Sequence, residues 1–339
     1  MKQYSKRAKI GFCVKPILVL ESMITKTVFP IPVNYLGMVL GLAGIGLAWR
    51  YAAGILPVSH LIGESVLTIA FLIWISLIIV YGYKWFSYPQ LARAELIHPI
   101  MGCFVSLIMI TSLLIAIAIQ PYSTFVSDIL LVLGIIGQLI FAMLRIGKLW
   151  QGNHPTEATT PVLYLPLVAA NFVSANALGM IGQNELGMLF LGAGVFSWLC
   201  LEPTVQQRLR NLDPVPPTIR PVFGIQFAPA FVCCSAYLSL NGGKIDSFVY
   251  LLIGYGLLQF LLLAKLLPWV MQNGLSMGLW AFSFGSASMA GVGLHFYHEL
   301  SVKPIAMLGM TMFIVGSVVI LALILMTLHL IATNRFLLK

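Results

Sequence analysis

Ten apolar stretches, most of them near 20 residues long, run the length of this 339-residue chain. They lie at roughly 33–54, 63–83, 101–120, 127–146, 162–182, 187–203, 221–241, 248–267, 278–297 and 304–330. A stretch of that length crosses the hydrocarbon of a bilayer as an α-helix, the fold that satisfies its own backbone N–H and C=O groups where no water can. The runs are continuous and lack the alternation of barrel strands, which argues against a β-barrel. A chain that is 60% hydrophobic and 9% charged has more apolar surface than a water-soluble globule can hide. A cytoplasmic enzyme, a disordered chain and a secreted disulfide scaffold are therefore excluded. The connections are too short for a soluble domain. The expected fold is an all-α polytopic membrane protein with one membrane domain over 30–332. A cytoplasmic or interfacial leader precedes it at 1–29, and a cytoplasmic tail follows at 333–339.

The basic residues set the orientation. With the N-terminus in the cytoplasm, Lys2, Lys6, Arg7, Lys9, Lys15, Lys26, Lys84, Arg93, Arg145, Lys148, Arg208, Arg210, Arg220, Lys265, Arg335 and Lys339 fall on the cytoplasmic side. Only Arg50, Lys244 and Lys303 fall opposite. This asymmetry places both termini inside and accounts for the net charge of +9. It is not a nucleic-acid footprint, because the charges are scattered over separate connections. Lys15 and Pro16 interrupt the apolar run of the leader, and no clear cleavage site follows, so the leader is read as retained.

Glu64, Asp128, Glu185, Asp246 and Glu299 fall on the outer side, each at or just before an even-numbered span, 53 to 64 residues apart. Five helical hairpins of about 60 residues reproduce that spacing, and a carboxylate there offsets the positive end of a helix dipole. The odd-numbered spans carry no charge in their central segments and are rich in small or helix-bending residues. These include Gly37, Gly41, Gly44, Gly102, Ser106, Pro166, Ala170, Ser174, Pro229, Cys233, Ala236, Gly278, Gly285, Ser288 and Gly291. Small faces allow close helix packing in lipid and equally allow a narrow passage. Pro166 and Pro229 are expected to kink their helices and to leave carbonyls that need a neighbour or water.

Several strings go beyond hydrophobicity: NYLGMVLGLAGIGLAWRYA (34–52), LWQGNHPTEATTPVLYLPLVAANF (149–172), FLGAGVFSWLCLEP (190–203), FAPAFVCCSAYLSLNGG (227–243), GYGLLQ (254–259) and LWAFSFG (279–285). Over about 29–339 the chain resembles the bacterial TehA proteins, named for tellurite resistance and also described as dicarboxylate transporters. They are relatives of plant guard-cell slow anion channels and yeast malate permeases. The resemblance implies five hairpins in quasi-fivefold order, odd-numbered helices around a central pore, and a homotrimer in a bacterial inner membrane. It also implies an aromatic plug on the ninth helix, matching Phe284, with Gly37 packed near it and Gly285 beside it. Gly41, Ser106, Pro166, Ala170, Ser174, Pro229, Cys233 and Ser288 become pore-lining candidates. Met109 stands where relatives often carry a proline, which leaves the bend of the third helix open.

With no cation at membrane depth on the inner helices, the candidate groups for an anion are Thr111, Ser112, Asn171, Ser174, Asn176, Ser235, Ser283 and Ser288. Weak donors of this kind let an ion both enter and leave. The expected cargo is small anions such as halide, nitrate, oxyanions or dicarboxylates, and the surrounding partner is membrane lipid. Cys13, Cys103, Cys200, Cys233 and Cys234 form no C-x-x-C pair, so no disulfide or metal is implied. His295, His298 and Glu299 read as a solvated helix end. Gly242-Gly243-Lys244 lacks the rest of a P-loop. Neither an acid–base pair nor a nucleophile–base pair stands out, so no enzyme activity and no cofactor are expected. A gated anion channel leads this reading. The alternatives are a proton-coupled C4-dicarboxylate carrier and a membrane partner in tellurite detoxification.

Overall fold

The computed structural model describes residue 29 and residues 31–337 except 153 and 301, so the leader at 1–28 lies outside the described residues. Ten helical segments among the described residues are long and apolar enough to cross a membrane. They are α1 (Val33–Ile55), α2 (His60–Ser87), α3 (Met101–Ile119), α4 (Thr124–Trp150), α5 (Pro161–Met180), α6 (Asn184–Asn211), α7 (Arg220–Leu240), α8 (Ser247–Asn273), α9 (Met277–Glu299) and α10 (Lys303–Ala332). The sixth segment was expected to stop at 203, but α6 continues through Pro203 to Asn211. A proline costs a helix one N–H and a clash with the turn before it, and a polar following turn ending in Arg208 and Arg210 sustains the helix beyond it.

The odd-numbered helices form the interior. Between 56 and 83% of the most apolar window of each is buried, against 17 to 33% in the even-numbered helices. The interior is a closed ring: α1 packs on α3, α3 on α5, α5 on α7, α7 on α9, and α9 back on α1. Each even-numbered helix lies against the odd one before it, so each hairpin contributes one wall and one buttress. Glycines allow the buttresses to close in. A Cβ at Gly134 would stand 2.7 Å from the Leu113 side chain, and one at Gly256 would stand 2.8 Å from the Phe231 ring.

All five inner helices depart from α geometry near the same end. α1 opens with the 3-10 turn Val33–Tyr35, and α3 is interrupted between Phe104 and Leu107. α5 opens with Pro161–Leu163 followed by the π-helical turn Leu165–Ala169. α7 opens with the 3-10 stretch Arg220–Ile225, and α9 with Met277–Phe282. This end is the terminal face, where the chain enters α1 and leaves α10; the other is the distal face. Pro166 sits inside the π turn. Pro229 corrects the expectation of a mid-helix kink: it lies in the first turn of Ala228–Leu240, where a missing N–H goes unnoticed. The third helix is interrupted without a proline. Ser106 Oγ donates to the Cys103 carbonyl at 2.7 Å within the break, while Met109 is turned to Gly137 of α4.

On the distal face three of the five even-numbered helices, α2, α4 and α8, start on side-chain caps. Ser59 Oγ accepts from Leu61 N, Ser123 Oγ from Val126 N, and Asp246 Oδ1 from Phe248 N and Val249 N. Of the five spaced acids, Asp246 is the one whose carboxylate bonds such N–H groups. Glu64 instead takes the Arg50 guanidinium at 2.6 and 2.8 Å and the Tyr122 hydroxyl. Glu299 is the last residue of α9.

Candidate functional site

Inside the ring, at its terminal-face half, lies a cavity of ≈ 210 Å³ lined by all five inner helices. The irregular stretch of each helix contributes to the lining, among them Asn34, Phe104, Leu165, Val222 and Gly278. The most distal lining residue of each helix is apolar: Leu40 on α1, Leu107 on α3, Phe172 on α5, Val232 on α7 and Phe284 on α9. These five close the cavity as one layer. Phe284 is the second residue after the 3-10 stretch of α9 and is 7% exposed. Next to its ring stands Gly44, where a Cβ would be 3.9 Å from Phe284 Cδ2 and 2.9 Å from Ala287 Cβ.

One helical turn farther out, the same faces carry Gly44, Thr111, Asn176, Ala236 and Ser288, so a small, more polar layer backs the apolar one. Gly44, Asn176 and Ser288 are half-buried. Half of the expected hydroxyl and amide donors are already spent. Thr111, Ser112 and Asn171 bond carbonyls one turn back, and Ser283 Oγ bonds the Gly37 carbonyl at 3.0 Å. Ser174 Oγ is buried with no partner among the described residues. Asn176, Ser235 and Ser288 are the half-buried members of the set that bond no described group.

The candidates separate by helix phase. Gly37 and Pro229 line the cavity with Phe284. Gly41, Ser106, Pro166, Ala170, Ser174 and Cys233 do not; all are buried between helices. On α5 the cavity takes Leu165, Val168, Ala169 and Phe172, which turns Ala170 and Ser174 to the sides. On α7 it takes Pro229 and Val232, so Cys233 points about 100° away from Val232. Gly41 closes on Ser283 and Trp280. Gly285 offers no free space beside Phe284, because a Cβ there would strike the Phe227 ring at 2.6 Å. Gly37 neighbours Trp280 rather than the Phe284 ring.

Sequence reasoning missed Glu202. From α6 it reaches the ring and accepts five hydrogen bonds. Tyr164 Oη and Trp198 Nε1 donate to Oε2 at 2.7 and 3.0 Å. Gln206 Nε2, Gln226 Nε2 and Tyr255 Oη donate to Oε1 at 3.1, 2.7 and 2.7 Å. One carboxylate thus ties α5, α6, α7 and α8, and Tyr164 is itself a cavity wall. The signal was present in the sequence: a lone acid inside an apolar run, four residues after a tryptophan, calls for an explanation.

Around the terminal face, three buried or half-buried guanidiniums bind carbonyls. Arg145 donates to His98 O and Pro99 O, and Arg208 to Glu157 O and Asp213 O. Arg220 donates to Val215 O and Trp269 O and lies 4.3 Å over the Trp269 ring. None is in an ion pair among the described residues; at this face Lys84 pairs with Glu95 at 2.8 Å. These guanidiniums lie around the terminal face and are held by carbonyls rather than by ion pairs among the described residues.

Comparisons with known proteins agree with this architecture. The sequence model of the family described as SLAC1, voltage-dependent anion channel, matches residues 30–328. A tellurite resistance protein TehA homolog from Haemophilus influenzae is 41% identical over 312 residues, covering 92% of this chain and 94% of its own. The S-type anion channel SLAH2 of Arabidopsis thaliana is 23% identical over 80% of this chain, and the guard cell S-type anion channel SLAC1 of the same plant 20% over 88%. This chain spans about half the length of those two plant proteins, 53% and 55%.

Proposed function

The chain belongs to the SLAC1 family of voltage-dependent anion channels, and from that premise we propose that it is a gated anion channel whose conduit is stoppered by Phe284. The observation that carries this reading is the closed ring of five inner helices around a cavity that ends at an apolar layer containing Phe284. A phenyl ring offers no hydrogen bonds to replace an ion's lost hydration, so a ring across a narrow passage halts anions. Swung towards Gly44 it leaves Asn176 and Ser288 as weak donors along the path. The excess of basic side chains at the terminal face, Arg145, Arg208 and Arg220 among them, raises the local anion concentration at that end.

In this reading the terminal face is cytoplasmic, the membrane is a bacterial inner membrane, and the assembly is a homotrimer. The cargo is small anions, halide, nitrate or an oxyanion. The likeness to the Haemophilus influenzae TehA homolog supports a link to tellurite resistance. A proton-coupled dicarboxylate carrier is the second reading, and Glu202 is the observation that favours it, since coupling needs a titratable group at membrane depth. All five neighbours of Glu202 point donors at it, which makes it a tie between four helices. Anion current through purified protein in lipid bilayers tests the reading. Phe284→Ala is expected to raise conductance several-fold, with a reversal potential that follows the anion gradient and ignores the proton gradient. Unchanged or lower conductance in a correctly folded variant would overturn the stopper assignment.

A further inference from the structure

At the distal end of the ring, α9 carries His295 on the face it shares with Phe284 and Ser288, eleven residues and about 16 Å beyond the phenyl ring. α1 carries Tyr51 there, seven residues beyond Gly44 and fourteen beyond Gly37. The imidazole is half-buried rather than solvated and is held on both nitrogens. Nε2 lies 2.7 Å from the Gly243 carbonyl, and Nδ1 lies 3.3 Å from the Tyr51 hydroxyl. Gly243 sits in the turn between α7 and α8 with φ +77°, and a Cβ there would press on the ring at 3.0 Å. The imidazole therefore bridges from α9 to α1 on one side and to the turn between α7 and α8 on the other.

The carbonyl can only accept, so Nε2 carries a hydrogen in either charge state. In the neutral ring Nδ1 is an acceptor, and the Tyr51 hydroxyl spends its hydrogen on it. In the imidazolium Nδ1 is a donor, so the same contact reverses and the Tyr51 hydrogen is released to point elsewhere. Resting on the anion-channel reading above, we propose that His295 and Tyr51 form an anion-binding site at the distal mouth, completed when His295 takes a proton from the outer solution. The site takes a monovalent anion such as chloride or nitrate. The imidazolium supplies charge and the freed hydroxyl supplies a charge-assisted hydrogen bond. Ser288 and Asn176 then offer the next donors inward.

The other ionisable groups on the elements around His295 include one carboxylate that bears on the site. Arg50 is turned to Glu64, and Asp246 is bonded to the Tyr237 hydroxyl at 2.6 Å. Glu299, one turn beyond His295, lies 3.8 Å from His298 and acts electrostatically on the Tyr51 hydroxyl, so an incoming anion competes with it for the imidazolium. Lys244 on the turn and Lys303 at the start of α10 are both exposed cations.

The test is a titration of 15N-labelled histidine in the purified full chain in lipid nanodiscs. His295 is assigned by the signal missing from His295→Gln, a variant whose amide can still donate to Gly243 and accept from Tyr51. At constant ionic strength, tenfold more chloride in place of gluconate is expected to raise the His295 midpoint by roughly half a pH unit, the reciprocal of tighter anion binding to the protonated form. Tyr51→Phe is expected to halve that shift or better. A midpoint indifferent to chloride and nitrate, or a full shift in Tyr51→Phe, overturns the site. Current gives a second arm. Acidifying the distal side from about pH 7.5 to 5.5 spans the range in which imidazole gains charge. It is expected to raise anion entry from that side several-fold in the wild type and not in His295→Gln; an equal rise in both overturns the proposal. The titration reads binding without conduction, so a protein that carried no current would count against the channel reading and leave this site to be judged on its own.

Discussion

At the scale of single residues, the proposed stopper depends on what stands next to the Phe284 ring. Gly44 is the small neighbour, and a side chain there meets Ala287 before it meets the phenyl group. Gly44→Val is therefore expected to abolish the residual wild-type current and to blunt the gain from Phe284→Ala, read in the same bilayer recordings. A Gly44→Val channel that conducts like wild type would show that the ring swings elsewhere. Part of the cavity was legible in the sequence: Phe284 and Gly37, which the family resemblance pointed to, and Pro229 all line it. The remaining lining was misplaced for a physical reason. A helix face is counted by adding 100° per residue, and the π turn over Leu165–Ala169 and the 3-10 stretch over Arg220–Ile225 reset that count. Ser174 and Cys233, chosen for small size, were rotated out of the path by turns that no periodicity reveals.

At the scale of elements, each hairpin is held by polar ties that hydropathy does not display. The ten spans were readable from the length and continuity of the apolar runs, and the inner role of the odd-numbered ones, which the family resemblance implied, agrees with their greater burial. Glu202 was not readable as a hub, since its five donors come from four helices and up to 53 residues away. Glu202→Ala leaves those donors without their acceptor and is expected to cost about 2–3 kcal/mol, seen as a lower unfolding midpoint in detergent. Glu202→Gln should fall between, because its NH2 must face groups that are themselves donors. The connection between α4 and α5 is the acid-sensitive element of the terminal face. Burial, with Arg145 nearby, holds the His154 imidazole below its ordinary value. The neutral ring is thus the folded one. Its stabilisation is complete above the ordinary histidine range and is lost as pH falls through the lowered value. Hydrogen exchange over residues 151–160 is expected to quicken on acidification, and the effect should vanish in His154→Gln. On the distal face, the Tyr237 hydroxyl first, and then the N–H groups of Val249 and Phe248, hold the Asp246 carboxyl below the usual range. That cap therefore persists into mild acid.

At the scale of the whole molecule, five hairpins meet in a loop of contacts with no privileged first member. The Tyr35 hydroxyl bonds the Phe336 carbonyl, and the two rings lie 5.2 Å apart. The start of the first wall and the finish of the last buttress are thus neighbours in space. The order of hairpins along the chain is then a historical accident as far as the folded state is concerned, and the gene can be cut and rejoined like a bracelet. A short linker from 337 to 31, with new ends opened in the 212–219 connection on the same face, keeps every wall beside its old neighbours. Such a rearranged chain is expected to insert, to melt within a few degrees of the parent and to carry comparable anion flux in liposomes. A rearranged chain that inserts but collapses would mean that order of synthesis, and not the finished ring, decides how these walls find one another.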